Sequence, residues 1–114
     1  MKRLTVLITL LLAACATPQE FMADPPDAVV KLRLPPEQAV LCMTRNQESQ
    51  SAGFLMDRRP ALDGGWELIV RASTTVYAIA QARSAGTGSE ATIWMATHVF
   101  IGKKPAIDNL IAGC

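Results

Sequence analysis

The sequence contains a single histidine, His98, and only three cysteines in its 114 residues. Nowhere along it do His, Cys, Asp and Glu fall together at the spacing that a metal site requires. We therefore expect no metal and no cofactor, and we predict that the protein is not an enzyme. The simplest interpretation of His98 is an ordinary residue near the end of a strand.

Phosphate-binding motifs are also missing. The stretch at residues 84–89, SAGTGS, is rich in glycine, but it lacks the lysine and the helix that follow a phosphate-binding loop. We predict a hairpin loop there instead.

The chain has no excess of charge of either sign. Its 11 Lys and Arg residues stand against 10 Asp and Glu, for a formal charge of +1. Lys2 and Arg3 belong to a segment that we expect to be removed, which leaves nine basic against ten acidic side chains, or −1. This balance gives no basic field that would attract nucleic acid or an acidic membrane surface. We expect no nucleic-acid partner.

The clearest apolar run is short and lies at the start. Residues 4–12 are Leu, Ile, Val or Thr, with Lys2 and Arg3 before them and Ala13-Ala14 after them. This run is too short to span a bilayer, and its cationic start, apolar centre and small-residue exit are typical of a secretory signal. The next residue is Cys15.

The motif Leu12-Ala13-Ala14-Cys15 resembles the lipobox of bacterial lipoproteins. The resemblance implies that Cys15 becomes the first mature residue and is acylated on sulfur and nitrogen, which gives stable membrane anchoring. Ala16 is not the aspartate associated with inner-membrane retention, so the resemblance to Gram-negative lipoproteins implies the periplasmic face of the outer membrane. The alternative is an ordinary signal peptide in which Cys15 follows the cleavage site by chance.

The chain then divides into three parts. Residues 1–14 are the predicted signal peptide, residues 15–27 a lipidated tether, and residues 28–114 a single domain. Three prolines and few apolar side chains in residues 16–27 favour an extended spacer, at most about 40 Å long, that would hold the domain away from the headgroups.

With Cys15 assigned to lipid, Cys42 and Cys114 remain. Two cysteines in an exported protein favour a disulfide, because the compartment outside the inner membrane is oxidising. Closing a loop of about 73 residues would stabilise the fold by about 4 kcal/mol. The alternative is two buried free thiols.

Hydrophobic patterning predicts an α+β fold. A helix should begin at Pro35-Pro36 and carry Cys42, and a last helix should present Cys114 on its apolar face. Strands are expected at residues 66–72, 75–83 and 91–97, with a weaker one at 53–58, joined as an antiparallel meander of three to four strands. Both helices should pack on one face of this sheet and be cross-linked there. Residues 28–34 have the alternation of a short edge strand, or of an extended segment laid on the domain.

The turn at Ser73-Thr74 predicts a register in which Val70 lies opposite Tyr77 and Leu68 lies opposite Ile79. On the next strand, Ile93 is expected opposite Ile79 and Met95 opposite Tyr77. The expected core face of the sheet is Trp66, Leu68, Val70, Tyr77, Ile79, Ile93 and Met95. The opposite face would carry Ile69, Val76, Ala78, Ala80 and Trp94. Such a flat, partly apolar surface suggests contact with another envelope protein or a second copy, unless residues 28–34 cover it.

Three classes of function follow from these features. The leading one is a membrane-anchored, non-catalytic module that binds a protein or serves envelope structure or assembly. The second is a periplasmic inhibitor or binder of a small enzyme such as a lysozyme, for which the only feature in favour is the loop that starts at Ser84. An enzyme ranks last, because a nucleophilic Cys42 beside His98 would need the thiol that the disulfide consumes.

Overall fold

The computed structural model describes residues 17–50, 53–61, 64–96 and 101–114. Three helices and five strands lie in these residues. In chain order they are α1 (Pro18–Phe21), β1 (Ala28–Leu32), α2 (Pro36–Gln50), β2 (Phe54–Pro60), β3 (Trp66–Ala72), β4 (Thr75–Ala85), β5 (Gly88–Met95) and α3 (Lys103–Ile111).

The five strands form one sheet in the order β1-β5-β4-β3-β2, and every neighbouring pair is antiparallel. The predicted α+β class and antiparallel meander are confirmed, because β2 to β5 follow one another across the sheet. The predicted count of three to four strands is wrong. The additional strand is β1, which joins the sheet beside β5.

Residues 28–34 were predicted as either an edge strand or an extended segment laid on the domain, and β1 distinguishes between these two. Its ladder with β5 runs from Ala28 opposite Ile93 to Leu32 opposite Ser89. Chain packing at that end is tight, because a Cβ atom on Gly88 would collide with the Leu32 carbonyl oxygen. Residues 28–32 therefore form an edge strand with full ladder pairing, in which glycine at position 88 permits the close approach.

A β-bulge sets the register between β3 and β4. Arg71 pairs with Val76, but Val70 pairs with Ala78, so Tyr77 is an extra residue on β4. A bulge of this kind shifts every following residue of its strand by one position. The alternation of β4 is therefore inverted with respect to an unbulged hairpin.

The predicted register of β4 is wrong for this reason. The predicted pairs were Val70–Tyr77, Leu68–Ile79, Ile79–Ile93 and Tyr77–Met95. The structure instead pairs Ala78 with Val70 and Met95, and Ala80 with Leu68 and Ile93. Ala78 and Ala80 thus belong to the face that the helices cover, and Ile79 belongs to the opposite face.

Helices α2 and α3 pack on the same face of the sheet, as predicted. Small side chains on β4 lie beneath them, so Val40 and Met43 of α2 approach the sheet closely and are almost completely buried. The buried core on this side comprises Leu32, Ala39, Val40, Met43, Leu68, Val70, Ala78, Ala80, Ala82, Ala91, Ile93, Met95, Ala106, Ile107, Leu110 and Cys114. Close packing of these side chains supplies the main apolar burial of the domain.

The predicted disulfide is present. Cys42 of α2 and Cys114, three residues beyond α3, are bonded with a Cα–Cα distance of 5.8 Å. The chain terminus is also tied to the end of β1, where Leu34 N donates to the Cys114 carbonyl oxygen at 3.0 Å. The bond therefore joins the two helices along the seam between them.

Candidate interaction face and the segment that covers it

The face of the sheet away from the helices, here the outer face, has an apolar centre. Ile69, Val76 and Ile79 form a second buried cluster there, and Trp94 is half-buried beside them. Ile79 lies between Ile69 and Trp94 in the cross-strand pairing. Three of the predicted surface residues, Ile69, Val76 and Trp94, are thus brought together, whereas Ala78 and Ala80 lie on the other face.

Residues 17–27, here the strap, cover this centre. Phe21 and Met22 pack against the second cluster. The segment that was predicted as a tether therefore contributes side chains to the fold. Strand β1, the segment considered as an alternative cover, lies in the sheet itself, so the cover comes from earlier in the chain.

The strap begins with a short, well-capped helix. The Thr17 hydroxyl accepts a hydrogen bond from Glu20 N at 3.2 Å, and Thr17 N donates to a carboxylate oxygen of Glu20 at 3.3 Å. This reciprocal capping box, together with Pro18 in the first turn, fixes the start of α1 at Thr17. After this one turn of helix, Phe21 and Met22 contact the sheet.

Polar contacts fasten the other end of the strap. Trp94 Nε1 donates to the Asp24 carbonyl oxygen at 2.9 Å, which gives the half-buried indole its partner. Asp27 accepts from Met95 N at 2.7 Å and from Lys103 Nζ at 2.9 Å. One carboxylate thus joins the strap to the end of β5 and to the start of α3.

The pKa of Asp27 lies below its ordinary value. Partial burial acts to raise this pKa, but the hydrogen bonds from Lys103 and Met95 and the positive charge of Lys103 together outweigh burial. The ionised form of Asp27 is therefore the one that the fold prefers, and it is fully present at neutral pH.

A buried carboxylate lies beside the strap. Glu67 of β3 is 5% exposed and pairs with Arg59 at 2.8 Å. Its second oxygen accepts a hydrogen bond from Gln81 Nε2 at 2.7 Å, and the same amide lies 3.3 Å from Met22 Sδ. Because both oxygens of Glu67 are partnered, the carboxylate links β2, β3 and β4, and Gln81 extends the link to Met22 of the strap.

An open cavity of about 460 Å³ lies between α1 and this end of the sheet. Polar and charged side chains form much of its wall, and its lining is Gln19, Met22, Arg59, Pro60, Ala61, Glu67, Gln81 and Arg83. The position of Gln19 in this wall shows where the strap enters the domain, which is at the end of the sheet that carries Arg59 and Arg83.

The side chain of Asn46 forms hydrogen bonds to the backbone near the disulfide. Asn46 Nδ2 donates to the carbonyl oxygens of Leu110 and Ala112, both at 2.8 Å, and lies 3.4 Å from Cys114 Sγ. The carbonyl groups at the end of a helix have no partner within the helix. Asn46 of α2 therefore caps the end of α3 and supports the backbone that carries Cys114.

Three large apolar side chains are exposed among the described residues: Val29 at 56%, Leu55 at 63% and Ile101 at 49%. Val29 and Leu55 lie on the two edge strands, β1 and β2, and both face outward on the outer face. An edge strand has one row of backbone groups without a ladder partner. The edges of the outer face thus combine exposed apolar side chains with unpaired strand backbone.

The predicted signal peptide at residues 1–14, together with Cys15 and His98, falls outside the described residues. In residues 17–50, 53–61, 64–96 and 101–114, no group of three or more His, Cys, Asp or Glu side chains is placed to hold a metal ion. Within the same ranges, no helix has both the length and the apolar character to cross a bilayer.

The sequence patterns did not predict the strap, the contacts of Glu67 or the cap by Asn46. A signal for the strap was available, because Phe21-Met22 is an apolar pair within an otherwise polar, proline-rich stretch. Nothing local distinguishes Glu67 or Asn46, since their partners are distant in the chain or depend on the register.

Comparison of the chain with protein-family models, with curated proteins and with solved structures finds no match.

Proposed function

We propose that this protein is an exported lipoprotein whose domain binds another protein of the cell envelope without catalysing a reaction. In this proposal residues 1–14 are removed, Cys15 is acylated, and the acyl chains hold the domain at the periplasmic face of the outer membrane. The motif Leu12-Ala13-Ala14-Cys15 is the basis of the anchor.

The observation that best supports the compartment is the Cys42–Cys114 disulfide. Such bonds persist in oxidising compartments and are rare where thiols are kept reduced. An exported location and a cross-linked domain are consistent with each other.

The edge of the outer face at β2 is the part of the domain that best fits a protein partner. Leu55 is 63% exposed, and its neighbours on this strand include Asp57 and Arg58, which are also exposed. An exposed apolar residue with polar neighbours on an unpaired edge suits a partner that adds a strand or packs against one. The charges also limit edge-to-edge aggregation of the protein with itself.

The test is site-specific photo-crosslinking in intact cells. A photoreactive residue is placed at Leu55 and, as the matched control, at Glu48, which is exposed on α2. We expect a discrete adduct with an envelope protein from position 55 and none from position 48. Adducts of equal intensity from both positions, or none from position 55, would contradict a specific interface at β2.

The inhibitor function remains a second candidate because of the β4–β5 hairpin. Residues 84–87 are exposed at its tip, beside a groove of about 400 Å³ that Lys31 and Arg33 also line. An exposed loop on a rigid hairpin is a common binding device. Inhibition of a lysozyme by the purified domain, lost when Thr87 is replaced by a bulky residue, would favour this candidate over the edge at β2.

A further inference from the structure

The link between the proposed anchor and the folded domain is very short. The capping box fixes Thr17 at the start of α1, and Phe21 N donates to the Thr17 carbonyl oxygen at 2.9 Å. Only Ala16 separates Thr17 from Cys15. Two Cα–Cα steps span at most about 8 Å, so an acyl chain on Cys15 would bring α1 to the headgroup layer.

The contacts of the strap also show which part of the domain lies closest to α1. Gln19 lines the cavity shared with Arg59 and Arg83, so α1 lies over that end of the outer face. Met22 reaches Gln81 of β4 directly, which fixes the position of the helix on the sheet. The end of the sheet near the β4–β5 hairpin therefore lies next to the anchor.

Lys31 lies on the same face and near the same end. It pairs with Glu90 across the β1–β5 ladder, and Glu90 pairs with Arg83 across the β5–β4 ladder. Neighbouring strands are about 4.8 Å apart, which puts Lys31 about 10 Å from Arg83 along this row. Lys31, Arg59 and Arg83 are exposed. Arg59 is paired with Glu67 at 2.8 Å, and the long side chain of Lys31 can extend toward lipid phosphates.

We propose that the anchored protein lies with this end of its outer face against the phospholipid headgroups, with Lys31, Arg59 and Arg83 at the level of the phosphates. The proposal rests on the acylation of Cys15 proposed above. It replaces the expected spacer of residues 16–27 with a direct contact, because the strap is bound to the sheet. The edge at Leu55 and the helices then remain accessible to a partner.

The opposite corner of the domain carries a lysine that can serve as an internal reference in a labelling experiment. Lys104 lies at the start of α3, on the helix side of the sheet, and its side chain is 86% exposed. The adjacent Lys103 pairs with Asp27 where β5 ends, and β5 is eight residues long, so this corner lies about 25 Å along the strands from the hairpin.

The experiment measures the reactivity of native lysines. After loss of the signal segment the chain carries three lysines, Lys31, Lys103 and Lys104. The acylated protein is reconstituted into vesicles of phosphatidylcholine and phosphatidylglycerol, and a membrane-impermeant amine reagent is added. Mass spectrometry of peptides then gives the labelling rate at each lysine, with the unlipidated Cys15→Ser protein in solution as the reference.

We expect the labelling of Lys31 to slow several-fold on the vesicle, whereas the labelling of Lys104 stays unchanged. Equal rates at Lys31 on the vesicle and in solution would overturn the proposed orientation. Intact mass and co-flotation with the vesicles are measured first. A chain without acyl mass that does not float would overturn the anchor itself, so the two failures are distinguishable.

A spacer variant tests the short link directly. About ten Gly and Ser residues inserted between Ala16 and Thr17 span about 17 Å as a flexible chain, and they alter no contact within the domain. We expect this variant to remain anchored and Lys31 to regain the labelling rate of the protein in solution. Protection of Lys31 that persists in the spacer variant would contradict the role of the short link.

Discussion

Asp27 and Lys103 form an ion pair of 2.9 Å that connects the strap to the start of α3. The second oxygen of the same carboxylate accepts a hydrogen bond from Met95 N, at the end of β5. One side chain therefore joins the strap to two parts of the chain that lie 68 and 76 positions later, and this arrangement gives the first prediction.

The substitution Asp27→Asn should destabilise the domain by about 1 kcal/mol at pH 7. Because the pKa of Asp27 is lowered in the folded state, its stabilising effect is present above the unfolded pKa of about 4. The effect is lost as the pH falls through the lower, folded pKa. Urea unfolding of both proteins should therefore show a difference at pH 7 that shrinks below about pH 4.

The control for this prediction is Asp108→Asn. Asp108 pairs with Lys104 on the surface of α3, where both side chains are more than half exposed. Its loss should change the free energy of unfolding by less than about 0.5 kcal/mol. Equal effects of the two substitutions at pH 7 would contradict the fastening role of Asp27.

The disulfide should be a major contribution to stability. Replacing both Cys42 and Cys114 with alanine removes a bond across 72 positions and should cost about 4 kcal/mol. The natural protein treated with a reducing agent should lose stability to a similar extent, whereas the double variant should be indifferent to the same agent. A loss well below 1 kcal/mol would show that the link does little to limit the unfolded chain.

Asn46→Ala should destabilise the domain by about 1–2 kcal/mol, because the Leu110 and Ala112 carbonyl oxygens lose their shared donor. Asn109→Ala serves as the matched control, since Asn109 is exposed and has only a 3.5 Å contact with Gln50. In thermal unfolding, the melting temperature of Asn46→Ala should be clearly lower than that of Asn109→Ala. Similar melting temperatures would contradict the capping role of Asn46.

The cover that the strap provides over Trp94 can be tested by fluorescence. In a Trp66→Phe background, the emission reports Trp94 alone. Replacing Phe21 and Met22 with alanine should remove part of the cover over Trp94, shift its emission to longer wavelength and increase its quenching by acrylamide. The same changes should cost about 1–3 kcal/mol of stability, less than for fully buried residues. Unchanged emission would contradict the cover.

The position of Ala80 tests the register. Ala80→Leu should cost about 1–3 kcal/mol, because the larger side chain would have to fit beneath α2. Ser84→Leu, further along β4 at an exposed site, should be nearly neutral. In the register without the bulge, Ala80 would face outward and tolerate leucine. Denaturant unfolding of both variants distinguishes the two registers.

The comparison of these results with the sequence shows where local patterns are sufficient. Strand β3 was predicted with its observed bounds, because Trp66, Leu68 and Val70 alternate clearly with polar or outward residues. The helices were placed by proline at their first turns and by the spacing of Ile107, Leu110 and Cys114. The disulfide followed from the count of cysteines, whereas Cys114, predicted on the apolar face of the last helix, lies three residues beyond α3.

The remaining features depend on information that local patterns do not contain. The bulge at Tyr77 has no sequence signal, and it moves every side chain of β4 that follows it to the other face. The sequence pattern predicts Ala78 and Ala80 on the exposed face, but small residues are also what allows a helix to approach a sheet, and both lie in the core beneath α2. The sequence pattern predicts a spacer at residues 16–27 because this segment has three prolines and few apolar side chains, and the contacts of Phe21 and Met22 with the sheet are not visible in that composition.

The most direct test of the account is the intact mass of the mature protein purified from membranes without reducing agents. We expect a chain that begins at Cys15, carries added acyl mass on that residue, and retains the Cys42–Cys114 bond. An intact precursor, or a chain without acyl mass, would contradict the proposed anchor and the membrane orientation that rests on it.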